Sequence, residues 1–132
     1  MIKELRIGNW IKHTNHEYLG EGYKNKVVQV DIDILHDLNG ESLKDWYEPI
    51  PLTPEVLLAA GFGLSEFQNR MVITYENNKF DIWLYYYKEK CIYSSSCFPD
   101  GANPINYLHQ LQNLYFALTG TELEIDITKL KQ

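Results

Sequence analysis

The most regular apolar rhythm in the chain lies toward its C-terminal end. Leu108, Leu111, Leu114, Tyr115 and Leu118 recur at the spacing of one buried helix face. The spacing predicts a helix over Asn103–Gly120. Asn103 is suited to accept from an orphan N–H of the first turn, and Pro104 suits the first helical position. Gly120 is the cheapest residue for a left-handed close. His109, Gln110, Gln112 and Asn113 fall mostly on the opposite face. A second strip, His109–Gln112–Phe116, is half apolar and could meet another element or a partner.

The rest of the chain alternates with the two-residue period of strands. Leu5–His13 reads as a first strand, with Gly8-Asn9 as a bend or bulge before Trp10. Thr14–Lys26 reads as a polar loop or wide hairpin. Val27–Leu35 is the cleanest alternation: Val28, Val30, Ile32 and Ile34 on one face, Gln29, Asp31 and Asp33 on the other. Asn39-Gly40 is a turn signal. Trp46–Leu52 reads as an extended edge, because Pro49 and Pro51 cannot donate to a ladder. Thr53-Pro54-Glu55 is an N-cap, a first helical position and an acid at the positive helix end. That short helix stops at Gly61 with Val56, Leu57 and Ala60 inward, and 63–69 reads as connection. Arg70–Phe98 reads as a three-stranded meander with turns at 76–79 and 88–90. Its middle strand, Phe80–Tyr87, has an apolar face for the long helix to cover. Its other face, Trp83–Tyr85–Tyr87, is left to meet the N-terminal sheet, a partner or water. Glu122–Ile127 alternates as a final half-buried strand.

These elements predict an α+β fold. A small SH3-like curled sheet leads, an antiparallel meander packed by one long helix follows, and a short strand closes the chain. The length of 132 residues suits a single domain. An internal seam near Leu52–Thr53 would divide a curled sheet (1–52) from a helix–meander–helix–strand unit (53–132).

Composition adds three constraints. Hydrophobic residues at 45% and charged residues at 23% are those of a globular chain. The net charge of −6 disfavours an electrostatic grip on nucleic acid and permits a protein partner with a basic surface, with solubility as its ordinary use. Cys91 and Cys97 have no ligand pair beside them and no secretory signal ahead, so free thiols in a reducing cytoplasm are expected. No apolar run approaches membrane-spanning length. The expectation is a cytoplasmic protein without membrane contact.

Candidate chemistry is sparse, and no cofactor, metal or catalytic residue is assigned. His13 and His16 share a polar region with no third ligand, and His36 stands alone. His109 has no nucleophile motif beside it. The acidic set Asp31, Asp33, Asp37, Glu41, Asp45 and Glu48 is opposed locally only by Lys44. On a strand, Asp31 and Asp33 would stand a pleat apart, as a solvated face or as an anionic surface for a basic partner. Tyr85, Tyr86 and Tyr87 could stack bases, but such platforms come with a basic groove. The candidate partner-binding set is therefore Asp31, Asp33, Asp37, Trp83, Tyr85, Tyr87, His109 and Phe116.

Three stretches carry a resemblance. They are Glu4-Leu5-Arg6-Ile7-Gly8-Asn9-Trp10, then Tyr47-Glu48-Pro49-Ile50-Pro51-Leu52-Thr53 leading to Gly61-Phe62, then Tyr107 through Gly120 with Glu122-Leu123. Together they resemble a group of short proteins, without established activity, that recur in Bacteroidota genomes, often in phage-derived or mobile regions. The resemblance implies bacterial or phage origin and transfers no functional residue. Joined to the acidic composition, it leads to the expectation of a non-enzymatic interaction protein. One concrete form is an anti-CRISPR-like inhibitor of a host nucleic-acid enzyme. The alternative is a nucleic-acid-binding module using the SH3-like part and exposed tyrosines. Homo-oligomerisation is left open.

Overall fold

In the computed structural model, the residues described are 5–13, 26–39, 47–66, 72–78, 82–87, 92–96 and 104–130. Among the described residues, two antiparallel sheets and three helices make an α+β protein. Strands β1 (Trp10–His13), β2 (Lys26–Gln29) and β3 (Tyr47–Pro49) form the first sheet in the order β2-β1-β3. Strands β4 (Gly63–Glu66), β5 (Val72–Glu76), β6 (Trp83–Tyr87) and β7 (Ile92–Ser95) form the second in chain order. Helix α1 (Ile32–Asn39) follows β2, α2 (Pro54–Ala59) joins the sheets, and α3 (Leu108–Thr119) follows β7. A short 3₁₀ turn covers Ile127–Leu130.

Locally encoded elements form where the sequence places them. Thr53 caps α2, its hydroxyl accepting from the Val56 N–H at 3.2 Å, with Pro54 in the first turn. Gly61, at φ 87°, closes the helix. Its N–H donates to Leu58 O, and the Phe62 N–H donates to Leu57 O. That is a Schellman close, and it carries Leu57 and Phe62 together into the core. β3 is an outer strand, as Pro49 requires. The meander is present, and β6 turns Leu84 inward with Ile82 just before it.

Four expectations are corrected. The run Val27–Leu35 is not one strand: β2 ends at Gln29 and α1 begins at Ile32. Asp31 accepts from the Ile34 N–H at 2.9 Å, so its capping preference wins over the alternation and leaves Ile32 71% exposed. Helix α3 starts at Leu108, not after Asn103. Pro104 precedes an extended stretch in which Ile105 pairs with Tyr93 and Tyr107 with Pro51. Gln110 then serves the helix start, its Oε1 accepting from the N–H groups of Asn106 and Tyr107. The region after Gly61 contains strand β4 rather than connection alone. Finally, 122–126 is irregular chain rather than a strand, with Leu123 buried, and Ile127 opens the 3₁₀ turn. Asn103, Cys91, Cys97, His16, Glu41, Lys44, Asp45 and most of 14–26 lie outside the described residues.

The main core joins both sheets. It gathers Ile50, Leu52, Leu57, Phe62, Leu84 and Tyr93 with Leu108, Leu111 and Tyr115 of α3. Residues on both sides of Leu52–Thr53 share it. A second cluster, Ile11, Val30 and Tyr47 with Ile34 and Leu35 of α1, covers the opposite face of the first sheet. The two sheets are tied through the start of α3, where Ile105 N–H donates to Tyr93 O, Leu52 N–H to Asn106 O, and Leu108 N–H to Ile50 O.

The N-terminal segment is held against α3 by polar groups, buried at Asn9 and Gln112 and partly exposed at Arg6. A turn over Arg6–Asn9 places Gly8 at φ 99°, a conformation that favours glycine. Gln112, 1% exposed, then accepts from the Trp10 N–H at 2.8 Å and donates to Gly8 O at 3.2 Å. Buried Asn9 accepts from the Arg6 N–H and donates to Asn113 Oδ1 at 2.9 Å. Arg6 donates to Gln112 O, pairs with Glu122 at 2.6 Å and lies 4.7 Å over the Phe116 ring. The strip His109–Gln112–Phe116 is therefore covered from within at Gln112.

Two outcomes follow from this packing. Gln112→Leu keeps the volume but leaves the Trp10 N–H without its acceptor, so it costs about 1–3 kcal/mol in urea unfolding, whereas Phe116→Ala costs under about 1 kcal/mol. An unchanged midpoint for Gln112→Leu would contradict the role given to that amide. Burial pushes the phenols of Tyr75 and Tyr93 above the ordinary tyrosine value, Tyr93 the further, and the two rings meet at 5.9 Å. The fold keeps protons that the unfolded chain loses, so this contribution is complete below about pH 10 and is lost as pH rises above it, by at most about 1.4 kcal/mol per unit for each such phenol. Urea midpoints measured against pH should show that fall, and Tyr93→Phe should make it shallower.

Candidate functional site

The residues singled out in the sequence do not converge. Asp31 and Asp33 are exposed at the start of α1, not paired across a strand face, and Asp37 lies further along the same helix. Two carboxylates beside the positive end of a helix have a structural use, and Asp31 is engaged as the cap. Trp83, Tyr85 and Tyr87 do share one face of β6, the face away from Leu84 and the main core, and each is half-buried. Tyr85 stands opposite Thr74 of β5 and Ser94 of β7, both fully buried. His109 is a correction: it is 2% exposed, with its ring stacked on Tyr107 at 5.9 Å, and cannot meet a partner. Phe116 remains exposed, with Arg6 over its ring.

Among the described residues, a concave surface lies elsewhere. A cleft of about 580 Å³ opens between the C-terminal end of α2, the Asn77-Asn78 turn after β5, and the chain from Thr121 to Asp126. A groove of about 660 Å³ continues from it along Phe62, Gly63, Leu64 and Ser65 to Glu76. Leu58, Gly61, Asn78 and Lys129 line both, so the two form one depression.

Each wall has a local cause. The Schellman close at Gly61 turns the chain sharply from α2 into β4, which leaves Leu58 outside, 49% exposed, and carries Leu64 outside at 61%. Leu123 is buried and holds its neighbours Glu122 and Glu124 at the surface. Asp126 is fixed by its N–H donating to Ala59 O and by its Oδ1 accepting from the hydroxyl and N–H of Thr128. The hydroxyl bond, then the N–H bond and nearby Lys129, hold the Asp126 carboxyl below the usual range, so it stays charged in mildly acidic solution.

The depression is therefore acidic and partly apolar. Glu76, Glu122, Glu124 and Asp126 line it against Lys129, and Arg6 is already paired with Glu122. Exposed Leu58 and Leu64 flank the carboxylates. Such a surface attracts a cationic group and gives its aliphatic stem something to lie on. The sequence showed the acidic alternation at 122–126 as the wet side of a strand. Nothing in it indicated that this segment would face the end of α2.

Among the described residues, no group of three or more His, Cys, Asp or Glu is placed to hold a metal ion, and no helix is long and apolar enough to cross a membrane. Comparison with protein-family models, with curated proteins and with solved structures returns no match for this chain.

Proposed function

We propose that the chain is a non-enzymatic binding protein whose partner is a protein with a basic surface. The observation that carries this is the depression beside α2, where four carboxylates and two exposed leucines line one concave surface. Protein interfaces of this kind gain specificity and association rate from charge complementarity, and affinity from apolar anchors. The net charge of −6 acts in the same direction at longer range.

The resemblance to proteins of mobile regions supports a narrower form of the proposal, an inhibitor of a host nucleic-acid enzyme. Carboxylates would then occupy a basic groove in place of phosphates. The acidic surface used would be the depression rather than Asp31 and Asp33, because Asp31 already caps its helix.

The test is capture by the immobilised full chain from a nuclease-treated bacterial host lysate at low and moderate salt. The expected result is one stoichiometric protein that survives nuclease and fades as salt rises. Glu76→Lys with Glu124→Lys should slow its association about tenfold or more at low salt. Retention only in the absence of nuclease, or retention indifferent to both salt and charge reversal, would overturn the proposal.

A further inference from the structure

The second sheet has two outer strands, and they are treated differently. Outside β7, Ile105 donates its N–H to Tyr93 O at 2.8 Å and occupies part of that edge. Outside β4, no described strand follows. Gly63, Leu64 and Glu66 are exposed, and Ser65 is half-buried.

Edge strands in soluble proteins are commonly blunted by proline, lysine, a bulge or a covering element. β4, with the sequence Gly-Leu-Ser-Glu, has no proline or lysine, and its four residues pair with β5 in unbroken register from Gly63–Glu76 to Glu66–Ile73. The edge is therefore regular, and the groove of about 660 Å³ runs against its first three residues.

We propose that β4 accepts an extended, basic segment of the partner protein as an added antiparallel strand, the sense in which β4 already pairs with β5, with alternate side chains entering the groove and its acidic continuation. This rests on the protein-partner reading given above and names how that partner is held. Main-chain bonds to β4 would supply affinity, and the groove would select side chains at every second position. The groove against β4 carries Glu76 and Lys129, and a lysine or arginine at one such position meets Glu76, while the cleft that continues it adds Glu122, Glu124 and Asp126. An aliphatic residue at a neighbouring position lies on Leu58 and Leu64.

Charge decides between this occupant and a second copy of the chain. Pairing β4 with β4 of another copy would bring two acidic depressions together, each on a chain of net charge −6. A basic segment neutralises the same groups instead.

The probe is a short fluorescent peptide of alternating lysine and isoleucine, followed by anisotropy with the full chain at low salt. Two further versions carry N-methyl groups, one on all lysines and the other on all isoleucines. Alternate N–H groups of a strand point to opposite sides, so only one version loses the donors that face β4. The expected result is binding by the parent peptide and by one methylated version, with the other weaker by about tenfold or more. Amide signals of Gly63–Glu66 should shift on binding, and Glu76→Lys should weaken it. A matching peptide of glutamate and isoleucine should not bind.

Equal binding by the two methylated peptides would overturn strand addition. So would absence of binding by the parent peptide, or shifts confined to other strands. Because the peptide assay is separate from lysate capture, a captured partner that is sensitive to Glu76→Lys would leave the binding reading standing even if strand addition failed.

Discussion

A buried backbone N–H must find an acceptor, and at Trp10 that acceptor comes from the far end of the chain. Gln112 presents its carbonyl to the Trp10 N–H and its amide to Gly8 O. One side chain thereby completes the main-chain bonding of a bend that the first sheet cannot complete alone. The rest is arranged so that this amide can arrive. The turn at Gly8 opens the space, and Asn9 and Asn113 seal one side of it. Arg6 closes the outside by bridging Gln112 O, Glu122 and the Phe116 ring. An apolar residue at 112 would suit the helix stripe as well by hydrophobicity, but would leave the bend unsatisfied.

The three sequence stretches that carry the resemblance meet at this helix. Residues of the first stretch bond to Gln112, Asn113 and Glu122 of the third. The second, through Ile50 and Leu52, bonds to Asn106 and Leu108 at the helix start. In physical terms these stretches are one junction, brought together by backbone and side-chain hydrogen bonds. The acidic depression lies to the side, on α2, β4 and the chain after α3, and draws mainly on residues outside that junction.

What was legible in the sequence was what short-range chemistry decides. Thr53, Pro54 and Gly61 bracket α2 because capping needs only neighbours. The alternation through Ile82, Leu84 and Tyr86 identified β6 because its apolar face is buried against one core. The failures have a common origin in distant partners. Ile105 and Tyr107 belong to a pattern that reads as a first helical turn, yet Tyr93 and Pro51 draw them into extended bridges. Val30 and Ile32 look alike in the alternation, but Asp31 between them caps a helix and sends them into different elements. His109 and Gln112 stand in a half-apolar strip that was open to another element or a partner, and only the fold shows that the N-terminal bend covers it at Gln112. The depression was invisible for a further reason: its walls are three separate segments whose convergence no local pattern encodes.

The Trp10–Gln112 bond also sets a clock on biogenesis. Its partners lie 102 residues apart, and synthesis at about 5–20 residues per second separates their appearance by about 5–20 s. During that interval β1 can pair with β2 and then β3, but the bend ahead of it keeps an unpaired donor, and Trp10 has no helix to pack against. The first sheet thus emerges as an incomplete product with one face open. Its completion waits until α3 becomes available, and factors that shield nascent chains would have their greatest effect on this protein before that point.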